Sequence, residues 1–303
     1  MTTRKAVVVG ATNGIGKACS HRLAEKGFNI IAVGRDKAGR AEAVISELNA
    51  QSPAGSTPSH EFRSCDAFSL GDVKNCAEDI VKDHDRIDAL VMTPGMATIQ
   101  SFTETVDGND EKITLHYWSR MAFADRLLPT LRNSSMPGGA CVLSVLSGGV
   151  HSPYKNYATD PFLKNSYSTQ NAADSAGYYT DLFMDTMAKR TGNENVRFIH
   201  ASPGVVNSNW GTEFPWFLRF PVRCVQSVFA KDPAECAVNM CAPIIKSTSG
   251  SILKDGEDPR IFILNQDASE GKLTKAHTKE AMDTVWNFTS DVLGKVGIDI
   301  NKS

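Results

Sequence analysis

The chain of 303 residues carries 32 Lys and Arg against 34 Asp and Glu, a formal net charge of −2, with 41% hydrophobic and 22% charged residues. Near-balance without a basic cluster removes the long-range field on which phosphate-backbone binding depends, so nucleic acid is not an expected partner. The length suffices for one large α/β domain with a full core.

The first apolar run, 6–9, is too short for the core of a secretory signal, and no later run reaches the roughly 20 apolar residues of a membrane-spanning helix. A cytoplasmic protein is expected. Further β-branched or apolar runs predict strands at 29–33, 61–64, 89–92, 140–145, 196–201 and 260–264. Between them, amphipathic spacing predicts helices at 16–26, 37–49, 70–83, 109–131, 169–190 and 233–245, with a last one at 278–293. Strict β/α alternation implies a doubly wound, Rossmann-like parallel sheet of about seven strands with helices on both faces. The polar stretches 51–60 and 247–259 each join a helix to a strand, so a single domain over 1–303 is expected, with no linker. Seven cysteines, at 19, 65, 76, 141, 224, 236 and 241, include no CxxC pair and read as reduced core residues. No metal site is predicted.

The first strand runs into Gly10-Ala11-Thr12-Asn13-Gly14-Ile15-Gly16 and then directly into a helical pattern. Glycines at such a turn let the backbone approach a pyrophosphate lying on the positive end of the helix, so a dinucleotide is expected here. The second strand ends at Gly34-Arg35-Asp36, where the adenosine ribose would lie. An acidic tip would bind a free 2′-hydroxyl, whereas Arg35 suits a 2′-phosphate; NADP(H) is therefore expected over NAD(H). Asp36 is also placed to cap the next helix.

These motifs resemble the short-chain dehydrogenase/reductase family along essentially the whole chain. The resemblance implies cofactor contacts from Gly10, Gly14 and Gly16, from Asp66 beside the adenine, and from Gly95, which ends Met92-Thr93-Pro94-Gly95 where the family has NNAG. It also implies contacts from the Pro203-Gly204-Val205-Val206-Asn207-Ser208 stretch, with Pro203, Gly204, Val206 and Ser208 nearest the nicotinamide. In the family, catalysis uses a Ser after strand five, a YxxxK pair on the following helix and an Asn on the helix after strand four. Here Ser147 matches the Ser, with Ser144 behind it in the strand; His116 stands in the Asn slot; none of the six tyrosines has a lysine four residues on. Counting from Met187-Ala188-Lys189-Arg190 and from Asp160 and Tyr167 places Ala173 in the Tyr slot and Gly177 in the Lys slot. The pair is expected to be missing. Substitute proton donors are Tyr167, just before the helix, and His116; Asp174 is a further carboxylate, while Tyr178 and Tyr179 are rotated away on the helix.

After the Pro-Gly motif, aromatics crowd residues 210–220 well above the chain's 8% share. The family places a substrate-covering lid there, over about 207–230, so Trp210, Phe214 and Trp216 are expected to contact a bulky apolar substrate; a dimer face or membrane-surface patch would use the same residues. The departures resemble divergent fungal reductases of secondary metabolism. The expected function is an NADP(H)-dependent reductase of an apolar carbonyl or imine with an atypical proton donor. Alternatives are a non-redox cyclase or isomerase on the same fold and a nucleotide-binding pseudoenzyme. The resemblance also allows a homodimer or homotetramer.

Overall fold

The computed structural model describes residues 3–37, 39–207, 230–250 and 261–302. They form a seven-stranded parallel sheet in the order β3-β2-β1-β4-β5-β6-β7. Its strands are β1 (Arg4–Val9), β2 (Phe28–Gly34), β3 (Glu61–Ser64), β4 (Ala89–Met92), β5 (Ala140–Val145), β6 (Val196–Ala201) and β7 (Phe262–Leu264). Six of the seven expected strand cores lie wholly within these limits. The seventh overlaps β7 and begins at Arg260, outside the described residues.

The helices are α1 (Gly14–Glu25), α2 (Arg40–Gln51), α3 (Leu70–Asp83), the short α4 (Glu111–Ile113), α5 (Ser119–Arg132), α6 (Thr169–Ala188), α7 (Pro233–Ser247) and α8 (Lys279–Lys295). Most begin where a short polar side chain takes an amide of the first turn: Asn13, Ser69, Asp110, Ser168, Asp232 and Thr278. The helix expected from residue 37 starts at Arg40 instead. Gly39 before it holds φ of 71°, and Asp36 Oδ1 reaches forward to the Ala41 amide at 3.1 Å. The single helix expected over 109–131 is divided by a π-turn, Thr114–Trp118.

Each face of the sheet carries its own core. β1 shows why: Val7 and Val9 lie in one apolar cluster, Ala6 and Val8 in the other, as side chains alternate along a strand buried on both sides. On one face α3, α5, α6 and α8 pack, with Trp118, Tyr179, Phe183 and Phe288 in the cluster. On the other, α1 packs between α2 and α7, over Leu23, Phe28, Cys19 and Met240. The six cysteines among the described residues are free and buried; Cys224 lies outside them. Among the described residues no helix is long and apolar enough to cross a membrane.

Connections run to one side of the sheet beyond β1 and to the other beyond β4. The C-terminal ends of β1, β4, β5 and β6 therefore border a crevice at the point where the winding reverses, which is where open α/β sheets hold ligands.

Candidate active site

The crevice begins at the turn after β1. Gly10 and Gly14 take φ of 86° and 53°, the left-handed region that costs glycine nothing. A Cβ on Gly16 would overlap the Gly10 carbonyl and the Thr93 hydroxyl, so the turn, the helix start and the end of β4 meet at backbone distance. Asn13 Oδ1 accepts from the Gly14 amide at 2.8 Å. The first-turn amides of Ile15 and Gly16 belong to the group a helix cannot satisfy internally, and the helix dipole adds partial positive charge there. A cavity of about 720 Å³ runs along α1 from Asn13 and Gly14 to Glu25 and is lined also by Asn207 and Asp232. These features fit a dinucleotide phosphate.

At the end of β2, the Thr12 methyl packs under Gly34, leaving no room for a side chain at that position. Arg35 is exposed, with its guanidinium 5.8 Å from the Phe68 ring centroid. Asp36 is engaged with α2 as described above. Asp66, half-buried at the end of β3, accepts from the Phe68 amide at 3.2 Å.

The other side of the crevice is built from β4, β5 and β6. His116, in the π-turn, accepts the Met96 amide on Nε2 at 3.0 Å and packs against Gly95. Burial, with the Arg120 and Lys112 cations nearby, holds its pKa down at about 3, so at neutral pH it is an uncharged brace for the β4 turn. Ser147, just past β5, has a buried hydroxyl with no hydrogen-bond partner among the described residues. That hydroxyl lies directly over Gly177 of α6, where a Cβ would overlap it. Ala173, one turn earlier, is exposed.

Tyr167 packs edge-on against Phe102, their ring centroids 5.9 Å apart. Its hydroxyl has no partner among the described residues, and burial beside Asp110 and Glu111 pushes it up to about 12. No hydrogen bond joins Tyr167 to Ser147 or His116. Asp174 accepts the Ser152 amide at 2.9 Å and so anchors the loop after Ser147. The Tyr178 and Tyr179 hydroxyls go to the carbonyls of Ala276 and Pro161. Beyond β6, Pro203 is half-buried, Gly204 and Asn207 are exposed, and Val206 is buried in a bridge to Lys231. Ser208, Trp210, Phe214 and Trp216 lie outside the described residues.

Residues 4–159 match the short chain dehydrogenase family. The chain belongs to that family. The chain is 33% identical to an oxidoreductase of Emericella nidulans over 69% of its own length and 61% of that protein's. It is 23% identical to mouse retinol dehydrogenase 14 over 97% of its own length and 87% of that protein's. It spans about three fifths of the length of three fungal relatives it matches. Among solved structures, the NADPH-dependent 3-quinuclidinone reductase of Rhodotorula rubra shares the fold with a TM-score of 0.58 at 16% identity, covering 83% of this chain and 86% of that one. The Pseudomonas aeruginosa RhlG/NADP complex does so with a TM-score of 0.59 at 20% identity, covering 83% and 92%.

Two features of the site are not among the residues expected from the sequence. The first is Arg120, 1% exposed. Its Nη1 donates to the Ser144 hydroxyl at 2.8 Å and to the Val145 carbonyl at 2.9 Å, and its Nη2 donates to the Pro94 carbonyl. It thereby ties the ends of β4 and β5 together beneath the crevice, and burial pulls its pKa down to about 9. The second is a buried triad. Asp181 of α6 lies 2.6 Å from His200 Nδ1 of β6 and 3.3 Å from His151 Nε2. Sequence signals for both existed: Arg120 interrupting an apolar stretch between Trp118 and Met121, and a histidine closing the apolar strand before Ala201.

Proposed function

We infer that the protein is an NADP(H)-dependent reductase of a bulky apolar carbonyl or imine, acting in specialised-metabolite biosynthesis with an atypical proton donor. The observation that carries this is the first turn. The glycine-built bend brings backbone, helix end and Thr93 together, and Arg35 stands exposed beside it. With Asp36 committed to α2, the tip of β2 offers a cation and no free carboxylate, which favours a 2′-phosphate over a 2′-hydroxyl. Similar proteins include an oxidoreductase, and two solved proteins of the same fold are an NADPH-dependent reductase and an NADP complex.

Gly10, Thr12, Asn13, Gly14, Ile15 and Gly16 would hold the phosphates, Arg35 and Asp66 the adenosine, and Gly95, Pro203, Gly204, Val206 and Ser208 the nicotinamide end. The bound cofactor would supply the hydride chemistry. Ser147, whose hydroxyl is unspent, orients the substrate oxygen. Tyr167 is the candidate proton donor, its hydroxyl likewise unspent; His116 holds the Met96 turn from behind. Trp210, Phe214 and Trp216 would cover the apolar substrate.

Calorimetry with NADPH and NADH, followed by loss of NADPH absorbance with apolar cyclic ketones, tests this reading. Tighter NADPH binding and turnover are expected. Ser147→Ala should reduce kcat/KM by about 10²-fold or more, and Tyr167→Phe by a similar factor. Absence of NADPH binding defeats the proposal. Ala173 and Gly177, which hold no acid and no cation, favour a second reading: a non-redox cyclase or isomerase working by orientation. A product of unchanged mass formed without NADPH consumption would select it.

A further inference from the structure

The His151–Asp181–His200 triad is not part of the reading just given, yet it adjoins Ser147, and its protons can be assigned from its partners. His200 Nε2 faces the Ser147 amide at 3.2 Å and must accept. Its proton therefore sits on Nδ1 and is donated to Asp181 Oδ1. His151 Nδ1 lies 2.9 Å from the Ser147 carbonyl, which can only accept. His151 Nε2 lies 3.3 Å from Asp181 Oδ2, a carboxylate oxygen, at ion-pair distance but without hydrogen-bond alignment. Nδ1 thus donates to the carbonyl, and a bare lone pair on Nε2 would face a carboxylate oxygen, so electrostatics favours a proton on each nitrogen.

The same accounting disfavours a metal ion on the three donors. Binding through His200 Nδ1 would force the proton to Nε2, against the Ser147 amide.

Space is the second observation. A Cβ on Gly177 would overlap the Ser147 hydroxyl and lie 2.6 Å from His151 Cγ and 2.7 Å from its Nδ1. The imidazole, 1% exposed, fills the volume into which any longer residue at 177 would grow. Position 177 is where the family resemblance expects a lysine.

We propose that His151, gripped between Asp181 and the Ser147 carbonyl, is a positioning residue that supplies the positive charge beside Ser147 in place of a lysine from α6, and that Gly177 makes room for it. The catalytic part of this proposal rests on the reductase reading above. Around the ring stand Asp181 and Asp174 on α6, His200 on β6, and Arg120 on α5 beyond His200. Burial opposes the charge on His151, and the Asp181 carboxylate more than offsets it, so its pKa is raised. The charge is present below that raised value and lost as pH climbs through it.

The test is ¹⁵N NMR of the full chain labelled at histidine, with His151→Gln to assign the ring, alongside pH–rate profiles. His151 should lose its second ring proton only above the ordinary 6.5, and Asp181→Asn should lower that transition. His151→Gln should reduce kcat by about 10²-fold with KM little changed, and remove the alkaline limb of the profile. A His151 that loses that proton at or below 6.5 in a chain that reduces its substrate overturns the proposal and leaves the reductase reading intact. A doubly protonated His151 in a chain that neither binds nor consumes NADPH overturns the reductase reading and the catalytic part of the proposal with it.

Discussion

Gly177 shows how one missing side chain reorganises a site. A glycine in the interior of a helix costs about 1 kcal/mol relative to alanine, so its presence in the 20-residue α6 needs a packing reason. That reason is close approach: the Ser147 hydroxyl and the His151 ring both rest where its Cβ would be. Gly177→Ala sets helix propensity against that contact. We expect turnover to fall by about tenfold or more, a barrier increase of ~1.4 kcal/mol, while the helix itself is no less stable. Steady-state kinetics and a urea midpoint measured together check this. Unchanged turnover with a higher midpoint would mean that Ser147 does not rest on α6. The glycine was visible in the sequence, but His151 and Asp181 lie 30 residues apart and meet only through tertiary packing, which no local spacing encodes.

Strands and helices were easier to read than the groups between them. A strand buried on both faces must be apolar throughout, so β1, β2, β4 and β5 stand out as short apolar runs bounded by turns. The π-turn at 114–118 has no such signature, since its residues continue a helical pattern and only the hydrogen-bond ladder changes. Arg120, one turn beyond it, is the consequence that matters. It is a cation in an apolar core, repaid by three acceptors at the ends of β4 and β5. Arg120→Met would relieve the buried charge and orphan the Pro94 and Val145 carbonyls and the Ser144 hydroxyl, each worth about 1–3 kcal/mol when left unsatisfied. The carbonyls outweigh the relief, giving an expected net loss of about 2–4 kcal/mol. Amide hydrogen exchange should quicken first at the Thr93–Met96 turn. Full stability with unchanged protection there would show that the guanidinium is not what fastens the two strands.

The two sets of histidines pull the pH dependence of the folded protein in opposite directions. His60, His84, His116 and His200 all have lowered pKa values, burial being the leading cause for each. For a base with a depressed folded pKa, the unfolded chain binds the extra proton, so stability falls as pH drops below the ordinary 6.5, and for His116 the fall continues to about 3. Asp181 adds to this lower down: its pKa, held at about 2 against an ordinary 3.8 by the two histidines despite its burial, gives stability that is present above 3.8 and lost as pH falls through 2. His151 has the contrary sign. Its raised pKa gives stability that is complete below 6.5 and disappears as pH rises through the folded value. With four lowered histidines against one raised, the acid side should be the steeper. Urea midpoints followed across pH should therefore decline from 6.5 toward 3. His116→Gln, whose amide oxygen can still accept the Met96 N–H, should make that decline shallower without altering the alkaline side. An acid limb equally steep in His116→Gln would show that this ring is not held neutral behind the β4 turn, and would return it to the list of groups able to deliver a proton.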